Sequence, residues 1–272
     1  MRMRAPVTTT LMTWLFALAA LASAALLPEN SQAQTVDEII KRGKVVIAID
    51  TTVPPYGMLD ANNQPAGIDV DVANLIGKNL KVPVEFVTVN SPGRIPALLS
   101  NRVDMVVAIF SITAERALQV SFSNPYAGQS AVLIAPKTAN IKGPEDLKGL
   151  KVGVTRGALE DGALTQMNPP GMTLLRFDDG PSVAQALLSG QIDAMGGGDY
   201  GEIYLRKGAK GEEYEQKFPL RAAHFGIGIR RGNPDLLHWL NTFIYQIKNS
   251  GELDAISRKH RNNTPMISLP VF

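Results

Sequence analysis

Two hydroxyls and a guanidinium stand at Ser111, Thr113 and Arg116, inside the stretch VDMVVAIFSITAERALQVSFSNPY that runs from Val103 to Tyr126. A planar guanidinium gives two parallel hydrogen bonds to the oxygens of a carboxylate, and the Ser111 hydroxyl can add a third donor. Met105 to Ile109 is a short, continuous apolar run, the pattern of a strand buried on both faces of a parallel sheet. Thr113 is a suitable N-cap, Glu115 then sits where the helix dipole favours negative charge, and Arg116 falls in the first helical turn. Ser123-Asn124-Pro125 is expected to end that element. Ser111 and Arg116 are thereby set beyond the carboxyl end of a strand, where open α/β sheets bind their ligands. From spacing alone, a solvated arginine on a surface helix is the favoured reading of Arg116.

The flanking chain alternates strand and helix. Helix is expected from Val36 to Lys41, strand from Val45 to Ile49, and a non-helical turn at Val53-Pro-Pro-Tyr56, where two prolines exclude helix. Gly67 to Leu80 places Val72, Leu75, Ile76 and Leu80 at helical spacing. Val84 to Val87 reads as strand, and Ile95-Pro96 opens a further helix. After Tyr126 the alternation restarts, with strands at Ala131 to Ala135, Lys151 to Thr155, Leu174 to Phe177 and Ile192 to Met195, and helices at Pro144 to Leu147 and Gly157 to Thr165. Ala223 to Ile229 gives one more strand, and Pro234 to Asn249 and Glu252 to His260 give closing helices. The economical fold is α/β, with parallel sheets flanked by helices.

At 272 residues the chain is long enough for two modest lobes. Arg2 and Arg4 precede an apolar run from Leu11 to Leu27, and small residues follow, so residues 1–33 read as a secretory signal peptide. Ala33 is the preferred cleavage point and Ala24 the alternative; an uncleaved anchor is the other reading of the run. No cysteine occurs in the chain, so neither a disulfide nor a thiol nucleophile is available, and export without disulfides fits a periplasm. Removing the leader takes away two arginines and one glutamate from a chain of formal charge +2. A balance so near neutral, without a basic block or a stacking platform of aromatics, argues against nucleic acid and against an anionic membrane surface. His224, His238 and His260 lack metal-ligand spacing, so neither a metal nor any other cofactor is expected.

The order Thr113-x-x-Arg116, Phe122-Ser-x-Pro-Tyr126, Gly67-Ile-Asp-Val-Asp-Val-Ala, Asp146-Leu-Lys-Gly-Leu-Lys-Val-Gly-Val and Ser250-Gly-Glu-Leu resembles the family-3 periplasmic solute-binding proteins of amino-acid importers. The resemblance covers nearly the whole chain after the leader. It implies the two-lobed periplasmic binding protein fold of type II, each lobe a sheet flanked by helices, with the ligand in the cleft between them. Lobe 1 would comprise residues 35–128 plus 226–272 and lobe 2 residues 132–222, with crossings near Gly128 to Val132 and Ala222 to Ile227. The implied protein is a monomeric receptor that passes a free amino acid to the membrane permease of an ABC importer and makes or breaks no bond.

By the same resemblance, Arg116 and the Ser111 hydroxyl hold the ligand's α-carboxylate, and the Ile109 carbonyl accepts from its ammonium. Asp199 matches the lobe-2 acid that pairs with that ammonium; an aspartate there also suits the N-cap of a helix from Tyr200 to Arg206. Free amides at the helix start after Gly157 form an anion site, so Leu159 is a further donor to the carboxylate. Ser91, Thr155 and Val53 complete the ligand-facing set. Relatives often carry an aromatic where Val53 stands and a threonine after the glycine equivalent to Gly157, so stacking and one hydroxyl donor are in question. Arg94, in Ser91-Pro-Gly-Arg-Ile-Pro, resembles the arginine with which relatives meet the side-chain carboxylate of glutamate or aspartate; a loop residue supporting the next helix is the alternative. Phe110, Tyr126 and Tyr204 read as packing residues. The rival from another class is an enzyme resembling cyclohexadienyl dehydratases on this fold, for which Glu160 or Asp161 would be the proton donor.

Overall fold

The computed structural model describes residues 35–199, 201, 205, 213–262 and 268–270. The leader and the helix expected at Tyr200 to Arg206, with Tyr204, therefore lie outside the described residues or almost wholly so.

Helix α1 (Val36–Arg42) starts at a complete capping box, in which the Thr35 side chain accepts from the Glu38 amide and the Glu38 side chain from the Thr35 amide. It leads into β1 (Val45–Ile49), the hairpin β2 (Met58–Leu59) and β3 (Pro65–Ala66), α2 (Ile68–Leu80) and β4 (Val84–Thr88). A short 3-10 turn at Ser91–Gly93 then runs into α3 (Arg94–Leu99), β5 (Met105–Val106) and α4 (Ala114–Ala117). The long strand β6 (Val120–Pro136) carries the chain across to a 3-10 turn at Pro144–Leu147, β7 (Lys151–Thr155), α5 (Leu159–Met167), β8 (Thr173–Phe177), α6 (Gly180–Leu188) and β9 (Ala194–Gly198). The equally long β10 (Tyr214–Arg230) returns it to α7 (Pro234–Asn249) and α8 (Glu252–His260).

Eight strands form one sheet in the order β4-β1-β5-β10-β6-β9-β7-β8. Its outer parts are parallel, β1 with β4 and β5 and β7 with β8 and β9. Its middle is antiparallel, so the expectation of parallel sheets is corrected: β10 runs against both β5 and β6, and β6 against β9. A chain that crosses out along one strand and back along another makes that pair antiparallel. The crossings foreseen near Gly128 and Ala222 are neighbours in this pair, with Ala222 opposite Ser130 and His224 opposite Gly128.

The apolar residues separate into two sets on either side of the long pair. Ile47, Ile76, Met105, Phe225, Leu240 and Phe243 belong to one core, with Leu98, Val106 and Phe110 beside it. Ile134, Val183, Leu187 and Met195, with Leu133, Val152, Val154 and Leu164, form the cores of the other half. The architecture is α/β and two-lobed, with the sheet flanked by helices.

Two local expectations fail for identifiable reasons. The strand foreseen from Met105 to Ile109 stops at Val106, and Ile109 takes φ 39° because its amide is held by the Asp69 carboxylate at 2.9 Å. Ser123-Asn124-Pro125 does not end an element; it lies inside β6, where shifts in register opposite Phe225 to Gly228 accommodate it. The Ser123 hydroxyl accepts the Ile227 amide at 2.8 Å, a side-chain substitute for a ladder bond.

Candidate functional site

A cavity of about 50 Å³ takes its walls from both halves of the sheet. From the first half come Val53, Pro54, Tyr56, Ser91, Arg94, Ile109, Ser111 and Phe225; from the second come Thr155, Ala158, Leu159, Glu160, Met195 and the glycines of β9, with Gln129 on the crossing between them. Seven of the nine positions singled out from sequence thus converge: Val53, Ser91, Arg94, Ile109, Ser111, Thr155 and Leu159.

Arg94 sits at the start of α3, set there by the Asn90 side chain, which accepts from the Gly93 amide. Only 1% of it is exposed. One terminal nitrogen meets Asp50 Oδ2 at 3.4 Å, while the guanidinium Nε has no hydrogen-bond partner among the described residues. Burial pulls its pKa down, against the opposing charges of Asp50 and Asp69. Asp50 is anchored in turn, its other oxygen accepting from the Thr52 amide at 3.0 Å and hydroxyl at 2.7 Å. Asp69, at the start of α2, is fully buried and accepts the Tyr126 hydroxyl at 2.8 Å as well as the Ile109 amide. Burial raises it to about 7, with those two donors pulling the other way. Tyr126, completely buried, is thus both a packing residue and the partner of the buried Asp69 carboxyl; Phe110 packs edge-on against Phe122.

Arg116 stands outside this cavity, in an adjoining groove that also includes Phe110, Thr113 and Gly157. The expected cap is present, with the Thr113 side chain accepting from the Arg116 amide. The guanidinium lies 5.4 Å from the Phe110 ring centre. It donates to the Ser111 carbonyl at 3.0 Å and, across the cleft, to the Gly157 carbonyl at 2.8 Å. Burial and the Arg94 charge bring it down to about 10. Asp199 is likewise not on the cavity wall: Gly198, the last residue of β9, is, and the Asp199 amide donates to the Ser130 carbonyl.

Of the two acids at the start of α5, Asp161 is committed to structure. It accepts from the Gly157 amide, the Thr165 hydroxyl and Arg176 Nε. Glu160 instead lines the cavity with 6% of its surface exposed, and burial raises it to about 7. The sequence names Glu160 only as one of two proton donors for the rival enzyme; as a binding group it carries no motif, since an acidic residue in a first helical turn reads simply as a dipole partner. Gln129 and Phe225 carry no signal in the sequence: they enter through the strand pair, whose register no local pattern specifies.

Residues 45–263 match the family described as bacterial extracellular solute-binding proteins, family 3. The chain belongs to that family. It is 29% identical to the L-arginine-binding protein of Pseudomonas aeruginosa, over 79% of this chain and 87% of that one. Among solved structures it is similar to the Neisseria gonorrhoeae solute receptor for L-cysteine, at 28% identity and a TM-score of 0.79 over 86% of this chain and 100% of the other. It is also similar to the ancestral amino-acid-binding protein AncCDT-1, a precursor of cyclohexadienyl dehydratase, at 32% identity and a TM-score of 0.77 over 84% and 99%.

Proposed function

We propose that the chain is a periplasmic receptor that closes its two lobes on a free amino acid and presents it to the permease of an ABC importer. The observation that carries this reading is the cavity between the halves, where the buried Arg94 has an Nε without a partner among the described residues on one wall and the Glu160 carboxyl forms part of the other. A cation and a carboxyl across a poorly hydrated space complement a zwitterion. The volume of about 50 Å³ falls far below the roughly 300–1,000 Å³ usual for small-molecule pockets, so entry requires the lobes to part. The bodies that move are residues 35–128 plus 226–272 and residues 132–222, hinged on the paired crossings, in a monomer whose leader is residues 1–33.

The preferred ligand is an acidic amino acid. Arg94 on the wall and Arg116 at the mouth supply two guanidinium groups on one lobe, matching two carboxylates, with Ser111, Ser91 and Thr155 hydroxyls and the Leu159 amide as further donors. Arg116 reaches the ligand's α-carboxylate by exchanging its bond to Gly157 when the cleft opens. Names of relatives support the amino-acid class but vary in side chain, including arginine, histidine and glutamine. Native mass spectrometry of protein purified without refolding tests the reading: a retained amino acid is expected, whereas a retained cyclohexadienyl product would favour the dehydratase-like enzyme, with Glu160 as its acid.

A further inference from the structure

Strand β9 ends in Gly196, Gly197 and Gly198, and all three line the cavity. A Cβ on Gly196 would stand 3.0 Å from the Glu160 Cβ, and one on Gly198 would stand 2.6 Å from Gln129 Oε1. The glycines therefore leave the space that Glu160 and Gln129 fill at the wall. Asp161, beside Glu160, is held by three donors from its own half of the molecule, and Asp199 lies off the cavity.

We propose that Glu160, rather than Asp199, is the carboxylate that holds the ligand's ammonium group. The inference rests on the amino-acid receptor reading and assigns the partner within that site. It has a consequence for protons. Burial keeps the Glu160 carboxyl protonated up to about pH 7; the Arg94 charge and the amides of Glu160 and Thr155 favour its ionised form, and Asp161 opposes it. Arg116 also faces it. An ammonium arriving at hydrogen-bond distance favours the carboxylate, so below pH 7 one proton leaves Glu160 for the solvent as the ion pair forms.

The test is calorimetry at pH 6 and pH 8 in buffers of different ionisation enthalpy, using the L-amino acid that binds the wild-type chain best and its deaminated acid; for L-glutamate the pair is L-glutamate and glutarate. The wild type should release close to one proton per amino acid at pH 6, almost none at pH 8, and none with the deaminated acid. Glu160→Gln, checked for folding by its melting temperature without ligand, should abolish the release and weaken the amino acid at least tenfold at pH 8 while changing the deaminated acid less than threefold. Asp69→Asn, which alters the other carboxyl near 7, should keep the release, and Asp199→Asn should keep both release and affinity. Unchanged affinity and release in Glu160→Gln, or their loss in Asp199→Asn instead, would overturn the assignment and leave the receptor reading intact. Failure of all twenty L-amino acids to bind the wild type would overturn that reading and this inference with it.

Discussion

The Asp69 carboxylate accepts the Ile109 amide at 2.9 Å and so holds a β-branched residue at φ 39°, on the wall of the cavity. That conformation is costly for a branched side chain and persists only where its surroundings over-determine it. Asp69→Ala leaves the Ile109 amide and the Tyr126 hydroxyl without their acceptor, a cost of about 1–3 kcal/mol for an unsatisfied buried group. Urea unfolding should show an unfolding free energy lowered by about that amount; an unchanged value would mean that Ile109 holds its conformation unaided.

Asp69 and Glu160 also set a pH dependence. Both hold their protons to about pH 7 in the folded chain and release them near the ordinary carboxyl values of 3.8 and 4.5 once unfolded. Folding therefore takes up protons between roughly pH 4 and 7, and these groups make the protein without ligand less stable as pH rises through that window. Comparing the melting temperatures of the wild type and Asp69→Asn across pH 4–8 isolates the Asp69 share. The variant should show a smaller fall, and parallel curves would contradict the assignment.

Arg94→Met removes the cation beside Asp50, which is 2% exposed. An uncompensated buried charge costs about 3–5 kcal/mol, so the variant should be destabilised and Asp50→Asn in the same chain should restore much of the loss. In that double variant glutamate binding should weaken far more than glutamine binding. Equal weakening would make Arg94 a structural residue only and remove the acidic preference.

Arg116→Lys replaces a fork that reaches both the Ser111 and Gly157 carbonyls by a single ammonium. If the same fork takes the ligand's carboxylate, the loss is about 2–5 kcal/mol, or roughly 30- to 5000-fold in affinity. Calorimetry showing less than a threefold change would confine Arg116 to the closing contact between carbonyls.

The parts of this protein that could be read in advance are those whose signals are local. Lys151–Thr155, Pro234–Asn249 and Glu252–His260 have the bounds that apolar spacing, an early proline and a preceding glycine imply. Where a distant group intervenes, local reading fails: the end of β5 is decided by Asp69, forty residues upstream, and Pro125 is tolerated in β6 through a shifted register with β10. The site divides in the same way. Arg94, Ser91, Ser111 and Leu159, which line the cavity, stand at strand ends or helix starts that local patterns mark, whereas the place of Glu160 on the wall depends on glycines in a strand more than thirty residues further on.

Closure of the two lobes on a free amino acid is the proposed function on which the rest depends. Isothermal titration of the chain freed of its leader against the twenty L-amino acids, with each ligand assayed for chemical change afterwards, tests it most directly. Glutamate or aspartate should bind saturably and one-to-one, more tightly than glutamine or asparagine, and be recovered unaltered. No saturable binding by any of the twenty, or conversion of the bound compound, would contradict it.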